Sequence, residues 1–341
     1  MVAALTGLAT ALPPGRVRQR DLWDGYFARR YADVPAAERI FTGAGVRTRQ
    51  AVVDPRVEDV SGWGTGQRMR RYADEALPLG AAAVSKALAD AGLAPADLGL
   101  LAVATCTGYT SPGLDVLLAR DLGLPADVQR LVIGHMGCYA AIPGLGAVTD
   151  YVNSRRRPAV LLCLELTSLH LQPPPAQLDQ VVAHALFADA AAAVVVQPGV
   201  EPGYVVRDVV ARTDPGTAAY MTWDVTDQGF RMGLSPRVPA VLARYVRDTV
   251  TGLLDRHGLA VRDVDGWAVH PGGPRILDVV ASRLELAPAA LGESRAVLRE
   301  HGNCSSPTVL LVLDRIRRRE ARTVVLLAFG PGLTLYAALL S

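Results

Sequence analysis

Gly134-His-Met-Gly-Cys138-Tyr-Ala-Ala-Ile-Pro-Gly-Leu145 is the stretch on which the reading of this chain turns. The apolar run before it, Val128 to Ile133, predicts a buried strand. A glycine-framed turn follows, then Cys138, then a run of small residues suited to a helix packed closely on that strand. A thiol at a helix N-terminus faces the positive end of the macrodipole, which lowers its pKa and favours the thiolate. Such a cysteine is placed to be a nucleophile. A lone cysteine without partners is more commonly an inert core residue, so the reading depends on what accompanies it.

Two further segments supply company. In Trp267-Ala-Val-His270-Pro-Gly-Gly-Pro274 an apolar strand ends in a histidine, and a turn leads into a helix over Arg275 to Leu284. In His301-Gly-Asn303-Cys-Ser-Ser-Pro307 an asparagine stands at the mouth of a helix over Thr308 to Arg319. Taken singly, a loop histidine or asparagine is usually a hydrogen-bonded structural residue. Cys138, His270 and Asn303, each at a junction leading into a helix, together provide a nucleophile, a base or donor, and an amide donor for a developing oxyanion.

Outward from these segments, short apolar runs alternate with helical patterns. Leu100 to Ala104, Pro158 to Leu164, Ala190 to Val196, Trp267 to Val269 and Val324 to Phe329 read as buried strands. Asp74 to Ala91 and Pro112 to Leu122 read as helices, each stopped by a glycine. The alternation predicts an α/β fold with mixed sheets. Gln197-Pro-Gly-Val-Glu-Pro-Gly203 is the most linker-like segment, dividing the chain into halves of 1–200 and 201–341. No strong internal sequence repeat relates the two halves.

Composition narrows the function classes. The 341 residues carry 35 basic and 33 acidic side chains, a net charge of +2, too balanced to predict a nucleic-acid binder. Lys86 is the only lysine, which leaves Schiff-base and P-loop chemistry almost without candidates. The 4 cysteines show no CxxC spacing, and there is no HExxH, so neither a disulfide framework nor a zinc site is predicted. The N-terminus reads as a first strand rather than a signal peptide, and no apolar stretch approaches the ~20 residues of a membrane span. A soluble, cytoplasmic protein is expected.

The ordered set of motifs resembles the type III polyketide synthases, the chalcone and stilbene synthase family, in their bacterial form. It comprises Ala104-Thr-Cys-Thr-Gly108, Gly137-Cys138, Leu161-Leu-Cys-Leu-Glu165-Leu-Thr167, Ala185-Leu-Phe-Ala-Asp189, His270-Pro-Gly-Gly-Pro274, Gly302-Asn303 and Ala328-Phe-Gly-Pro-Gly-Leu-Thr334. The resemblance implies the five-layered αβαβα thiolase fold with two duplicated mixed-sheet halves, usually as a homodimer. It implies an acyl-CoA starter loaded on Cys138, extension by decarboxylative condensation with malonyl-CoA, and release of a pyrone or a phenolic ring. No cofactor is implied; CoA thioesters are the substrates. His270 and Asn303 fall on the positions that stabilise the malonyl-derived enolate.

By the same resemblance Phe187 is a gatekeeper between CoA tunnel and reaction cavity, and Met232 stands where relatives carry a second phenylalanine. Cys106, Thr167, His170, Trp223 and Ser305 fall on cavity-lining positions. Cys106 is either a functional cavity thiol, as in some naphthalene-forming relatives, or an inert packing residue. Glu165 with Thr167 and Ser305 either forms a network that steers aldol closure or satisfies its own hydrogen bonds. Arg39 matches one CoA-phosphate contact, with Arg47 and Arg49 as candidates to replace two absent lysines. The rivals are a ketoacyl synthase of the type that initiates fatty-acid synthesis, acting once on an acyl carrier protein, a hydroxymethylglutaryl-CoA synthase, and a non-catalytic scaffold of the same fold.

Overall fold

The computed structural model describes residues 2–173, 177–199 and 203–341. Its strands are β1 (Ala3–Ala11), β2 (Arg16–Arg18), β3 (Thr48–Gln50), β4 (Leu100–Thr105), β5 (Gln129–Gly134), β6 (Ala159–Leu166), β7 (Asp189–Pro198), β8 (Tyr204–Thr213), β9 (Met221–Thr226), β10 (Gly229–Leu234), β11 (Gly266–Val269), β12 (Val324–Gly330) and β13 (Thr334–Leu340). One sheet runs β5-β4-β6-β7-β1 and a second runs β11-β12-β13-β8. They meet along one edge through the pairs Ala4↔Val205 and Leu5↔Tyr204.

The continuous apolar runs are explained by burial on both faces. Along β6, Val160, Leu162, Leu164 and Leu166 join one core cluster, while Ala159, Leu161 and Cys163 join another. Along β12, Val324, Leu326 and Ala328 face the middle of the molecule, and Val325, Leu327 and Phe329 face outward to a third cluster. Each fully buried Leu or Val contributes ~1.5–3 kcal/mol. Helices Ala141–Arg155 and Pro307–Arg317 contact both sheets and form the central layer. Helices Thr65–Asp90 and Leu114–Asp121 cover the first sheet from outside; Val238–Asp255 and Pro274–Leu284 cover the second. This is the five-layered αβαβα arrangement.

The halves repeat one plan. In each, a parallel pair (β4 with β6, β11 with β12) is followed by antiparallel neighbours (β7 and β1, β13 and β8). The central helix of each half precedes its β6 or β12. Cys138 opens one central helix and Asn303 lies just before the other. The first, expected to pack closely on the strand around Val128 to Ile133, makes its closest approach to β6 instead: a Cβ on Gly144 would lie 2.8 Å from a Leu161 methyl, against 3.2 Å from Ile133 Cδ1.

Three expectations need correction. The strand around Val128 to Ile133 is not buried. As β5 it is the last strand of its sheet, paired only to β4, and Leu131 and Val132 are 40% and 54% exposed. The helix expected from Asp74 starts at Thr65; its polar first turns hid it, and Gln67 Oε1 accepts the Gly64 N–H at 3.0 Å. The linker-like segment is partly strand, since Gln197 and Pro198 end β7; residues 200–202 lie outside the described residues. Among the described residues no helix is long and apolar enough to cross a membrane.

Candidate active site

Cys138 lies in a tight turn, Gly137–Tyr139, that runs into helix Ala141–Arg155. Two glycines make the turn possible. Gly137 has φ +72°, and a Cβ on it would lie 2.9 Å from Pro331 Cδ. A Cβ on Gly330 would lie 2.9 Å from Tyr139 Cδ1. The loop after β12, Gly330-Pro331-Gly332, is thus pressed onto the cysteine turn. The strand that leads into this loop holds His270. The His270 N–H donates to Leu327 O at 2.7 Å, and its ring meets Phe329 edge-on with centroids 5.7 Å apart.

Both ring nitrogens of His270 are buried and without a hydrogen-bond partner among the described residues. Burial alone pushes its pKa down to about 3, so the imidazole is neutral. Asn303 is fixed differently. Its N–H donates to Leu186 O at 2.8 Å, and its carbonyl accepts from Ala188 at 2.9 Å. Its side-chain Oδ1 accepts from the Ser305 N–H at 2.8 Å. That bond turns the amide nitrogen away, toward Cys138.

The expected thiolate is not the resting form. Burial pushes the Cys138 thiol up to about 11, and the charge of Glu165 adds to this, while the side chains of Ser305 and Asn303 pull it back. Dehydration of the charged form outweighs the helix terminus and both donors. Ser305 is one of five non-glycine residues with positive φ among the described residues, at 55°. This strained backbone puts its hydroxyl 3.9 Å from Cys106 Sγ and within reach of Cys138.

Behind Cys106 lies Glu165, with no exposed surface. Its carboxyl accepts from Thr107 Oγ1 (2.7 Å), Ser306 Oγ (2.9 Å), Cys106 N (3.0 Å) and Cys106 Sγ (3.4 Å). Thr167, expected in this network, is not in it. β6 ends at Leu166 and a tight turn begins at Thr167, which breaks the strand alternation. Thr167 Oγ1 instead donates to Ala188 O and Asp189 Oδ1 at 2.8 and 3.1 Å.

Phe187, Thr167, His170, Trp223 and Met232 line one cavity. Trp223 and Met232 are cross-strand partners on β9 and β10, and the Trp223 indole N–H donates to Cys106 O at 2.7 Å. Phe187 and Asn303 form a backbone bridge, so the cavity wall is tied to the cysteine's amide neighbour. Arg39 is not part of this cavity; it is exposed on helix Ala37–Thr42.

The sequence matches published domains over nearly its whole length. Residues 2–202 match the N-terminal domain of chalcone and stilbene synthases, and residues 208–341 the C-terminal domain.

The chain belongs to the chalcone and stilbene synthase family.

It is therefore a type III polyketide synthase, a decarboxylating, condensing acyltransferase. An α-pyrone synthesis polyketide synthase-like Pks18 from Mycobacterium tuberculosis is 34% identical over 356 residues, covering 98% of this chain and 89% of the relative. A 1,3,6,8-tetrahydroxynaphthalene synthase from Streptomyces peucetius is 37% identical over 344 residues, covering 96% and 90%. Among solved structures, the tetrahydroxynaphthalene synthase of Streptomyces coelicolor A3(2) superposes with a TM-score of 0.93 at 30% identity, covering 99% of this chain and 98% of that one. PKS-I of the brown alga Ectocarpus siliculosus gives 0.94 at 29% identity with the same coverage.

Several polyketide synthase residues escaped the sequence reading or were misplaced by it. Arg49 does not reach solvent as a phosphate ligand would. It is buried, and its guanidinium donates to the carbonyls of His184, Ala185 and Phe187 at 2.8, 2.7 and 2.7 Å, capping helix Leu178–Leu186. Its position two residues after the exposed Arg47 gave no sign of this. His170 lines the cavity but has no free nitrogen: Nδ1 accepts from Phe230 N–H at 2.9 Å and Nε2 donates to Thr107 O at 2.6 Å. Phe230, stacked on it at 4.5 Å, was detectable only as one apolar residue in a short strand. Thr107 and Ser306 stand inside the quoted motifs, but no part was read for either, because each meets Glu165 only in the fold.

Glu165 offers a test of this network. Burial raises its pKa from 4.5 to about 7 although several donors oppose the rise. The folded state therefore holds more protons than the unfolded state between those values. Stability should fall as pH rises through that window, by about 3 kcal/mol. Glu165→Gln is expected to lower Tm overall, because an NH₂ group must face one of the donors. It should also flatten the decline of Tm between pH 5 and 7. Parallel Tm–pH curves for the two proteins would contradict this account.

Proposed function

We propose that Cys138 is the acyl acceptor and that His270 and Asn303 are the paired donors of the condensation. One observation carries the reading: among the described residues His270 has both ring nitrogens buried and unpartnered, against the end of the strand whose following loop packs on the cysteine turn. A buried polar group left unmade costs ~1–3 kcal/mol, a cost understandable if a substrate oxygen completes it. In loading, the sulfur attacks the starter thioester carbonyl and its proton passes to the neutral imidazole. The C–S bond to CoA breaks, and the CoA sulfur takes the proton. In extension, the malonyl C–C bond breaks and carbon dioxide leaves. The electron pair moves onto the thioester oxygen, where His270 and Asn303 N–H groups hold it. The resulting carbon nucleophile attacks the acyl group on Cys138, and the sulfur departs.

The substrates in this reading are an acyl-CoA and malonyl-CoA, and the product is a pyrone or a phenolic ring of the resorcinol or naphthalene kind. The two relatives named for pyrone and tetrahydroxynaphthalene synthesis support that range. Residues 1–200 supply the cysteine, and residues 201–341 the histidine and asparagine. Arg39, with exposed Arg47, is the candidate for the CoA phosphates. The protein would work in the cytoplasm. Incubation of the pure protein with malonyl-CoA and a panel of acyl-CoAs, with products identified by mass, tests the reading. Condensation only with carrier-protein substrates would overturn it.

The same reading includes a homodimer. Support comes from the edge of β5, which among the described residues pairs only with β4 and exposes Leu131 and Val132, and from the neighbouring helix Leu114–Asp121, which exposes Val116. Native monomers rarely leave a long apolar edge open. The wild type should sediment as a dimer and Val132→Asp as a monomer; a monomeric wild type would remove the proposal.

A further inference from the structure

The cavity that Phe187, Thr167 and Met232 line has a second wall from the N-terminal part of the chain, with Leu22, Phe27 and Val53. The space not filled by atoms is about 670 Å³, its open mouth included. None of Cys138, His270 and Asn303 lines it. It adjoins them at Phe187, whose backbone is bridged to Asn303. Most polar groups around this space are committed to the protein. Thr167 Oγ1 and Ser168 Oγ donate to Asp189. Both nitrogens of His170 are bonded, as are both terminal nitrogens of Arg49. Arg49 Nε has no partner but exposes less than 1 Å².

Helix Leu178–Leu186 is the exception. Gln180 and His184 stand one turn apart on the same face of it, and both line the cavity. Gln180 is only 3% exposed. Its Nε2 donates to Met232 O, which fixes the orientation of the amide. Oε1 then has no partner among the described residues, yet it is not sealed off from the cavity. His184 Nδ1 meets Tyr31 OH at 2.6 Å. Tyr31 is buried, and among the described residues its hydroxyl has no other partner. The phenol proton therefore goes to Nδ1, and the ring's own proton sits on Nε2. Burial and the Arg49 charge keep that ring neutral. The Nε2–H likewise has no partner among the described residues and is not sealed off. One helix face thus presents a free acceptor and a free donor. Polar atoms left unbonded in such a place are unfavourable, and a ligand with both kinds of group relieves that.

We propose that Gln180 and His184 recognise the secondary amides in the thiol arm of coenzyme A while its acyl group is delivered past Phe187 to Cys138. A secondary amide has an N–H for Gln180 Oε1 and a C=O for the His184 Nε2–H, and the arm of coenzyme A carries such amides on the thiol side of the thioester. A hydrocarbon chain has neither group. The proposal rests on the condensing function above and names the residues that hold its substrates. Tyr31 acts through His184 and is a positioning residue.

The experiment loads the full-length protein from paired acyl donors, followed by intact-protein mass. Acetyl-CoA is set against S-propyl thioacetate, and octanoyl-CoA against S-propyl thiooctanoate. The S-propyl donors keep the reacting group and lack the amides. The ratio of loading rate constants, CoA thioester over S-propyl thioester, should fall about tenfold in Gln180→Leu and in His184→Phe. It should fall by less in Tyr31→Phe. A substitution that merely loosened the wall through Met232 would slow both donors alike and leave the ratio in place. A ratio unmoved in a folded Gln180→Leu or His184→Phe protein would therefore overturn the proposal, and having both keeps the test decisive if one does not fold. A third donor, S-propyl 6-acetamidothiohexanoate, carries its amide on the acyl side. A tenfold loss with that donor relative to S-propyl thiooctanoate in Gln180→Leu would put the recognised amide in the starter and overturn the proposal too. Absence of loading from every acyl-CoA of the panel would instead overturn the condensing function, and the role of this helix face with it.

Discussion

Cys138→Ala is expected to take up no acyl group from any acyl-CoA and to release polyketide only at background level. In the proposed mechanism the Cys138 sulfur forms the thioester at the meeting of the cysteine turn, Asn303 and Ser305. Cys106 is no substitute: burial and the neighbouring Glu165 carboxyl hold its thiol well above the ordinary range, and its Sγ donates to that carboxyl at 3.4 Å. The substitution removes one small atom from an already packed turn, so the fold should persist. Intact-protein mass after incubation with acyl-CoA is the measurement. A Cys138→Ala protein that still gains the mass of an acyl group, or turns over near the wild-type rate, would move the nucleophile elsewhere.

The second large effect concerns decarboxylation. Removing one preorganised donor at a developing oxyanion typically costs ~10²–10³ in rate. His270→Ala and Asn303→Ala should each slow carbon dioxide release from malonyl-CoA by about that factor. His270→Ala should suffer additionally in loading, because the thiol of Cys138 at about 11 needs a base to lose its proton at neutral pH. Asn303→Ala removes a donor that favours the thiolate, so Cys138 should ionise at still higher pH and alkylate more slowly at a fixed pH below its pKa. Unchanged carbon dioxide release in Asn303→Ala would exclude that residue from the pair. Equal loading rates in His270→Ala and wild type would exclude the base role.

The outline of the fold was readable from local pattern. β4, β6, β7, β11 and β12 fall within a few residues of the apolar runs that announced them, because a strand buried on both faces needs an unbroken apolar stretch. Cys138, His270 and Asn303 were legible for a related reason. Glycines and prolines must mark each abrupt passage into a helix, and the three residues proposed to react sit at those marks. The amino-acid sequence by itself thus determined the alternation of strands and helices and marked the junctions at which the three proposed residues stand.

The tertiary structure alone decided what those groups and their neighbours meet. The exposure of β5 depends on which strand ends the sheet, not on its composition. Arg49 and Arg39 are alike in sequence, but one is drawn in by the carbonyl groups ending helix Leu178–Leu186 and the other stays in solvent. Glu165 finds Thr107 from 58 residues away and Ser306 from 141, while the nearby Thr167 turns aside. The duplication of the two halves is a repeat of strand order and direction without a repeat of residues. Cys138, alone at a helix start, promised a thiolate; enclosed, it became a thiol, since burial withdraws the water that stabilises charge and no local pattern records how much water is left.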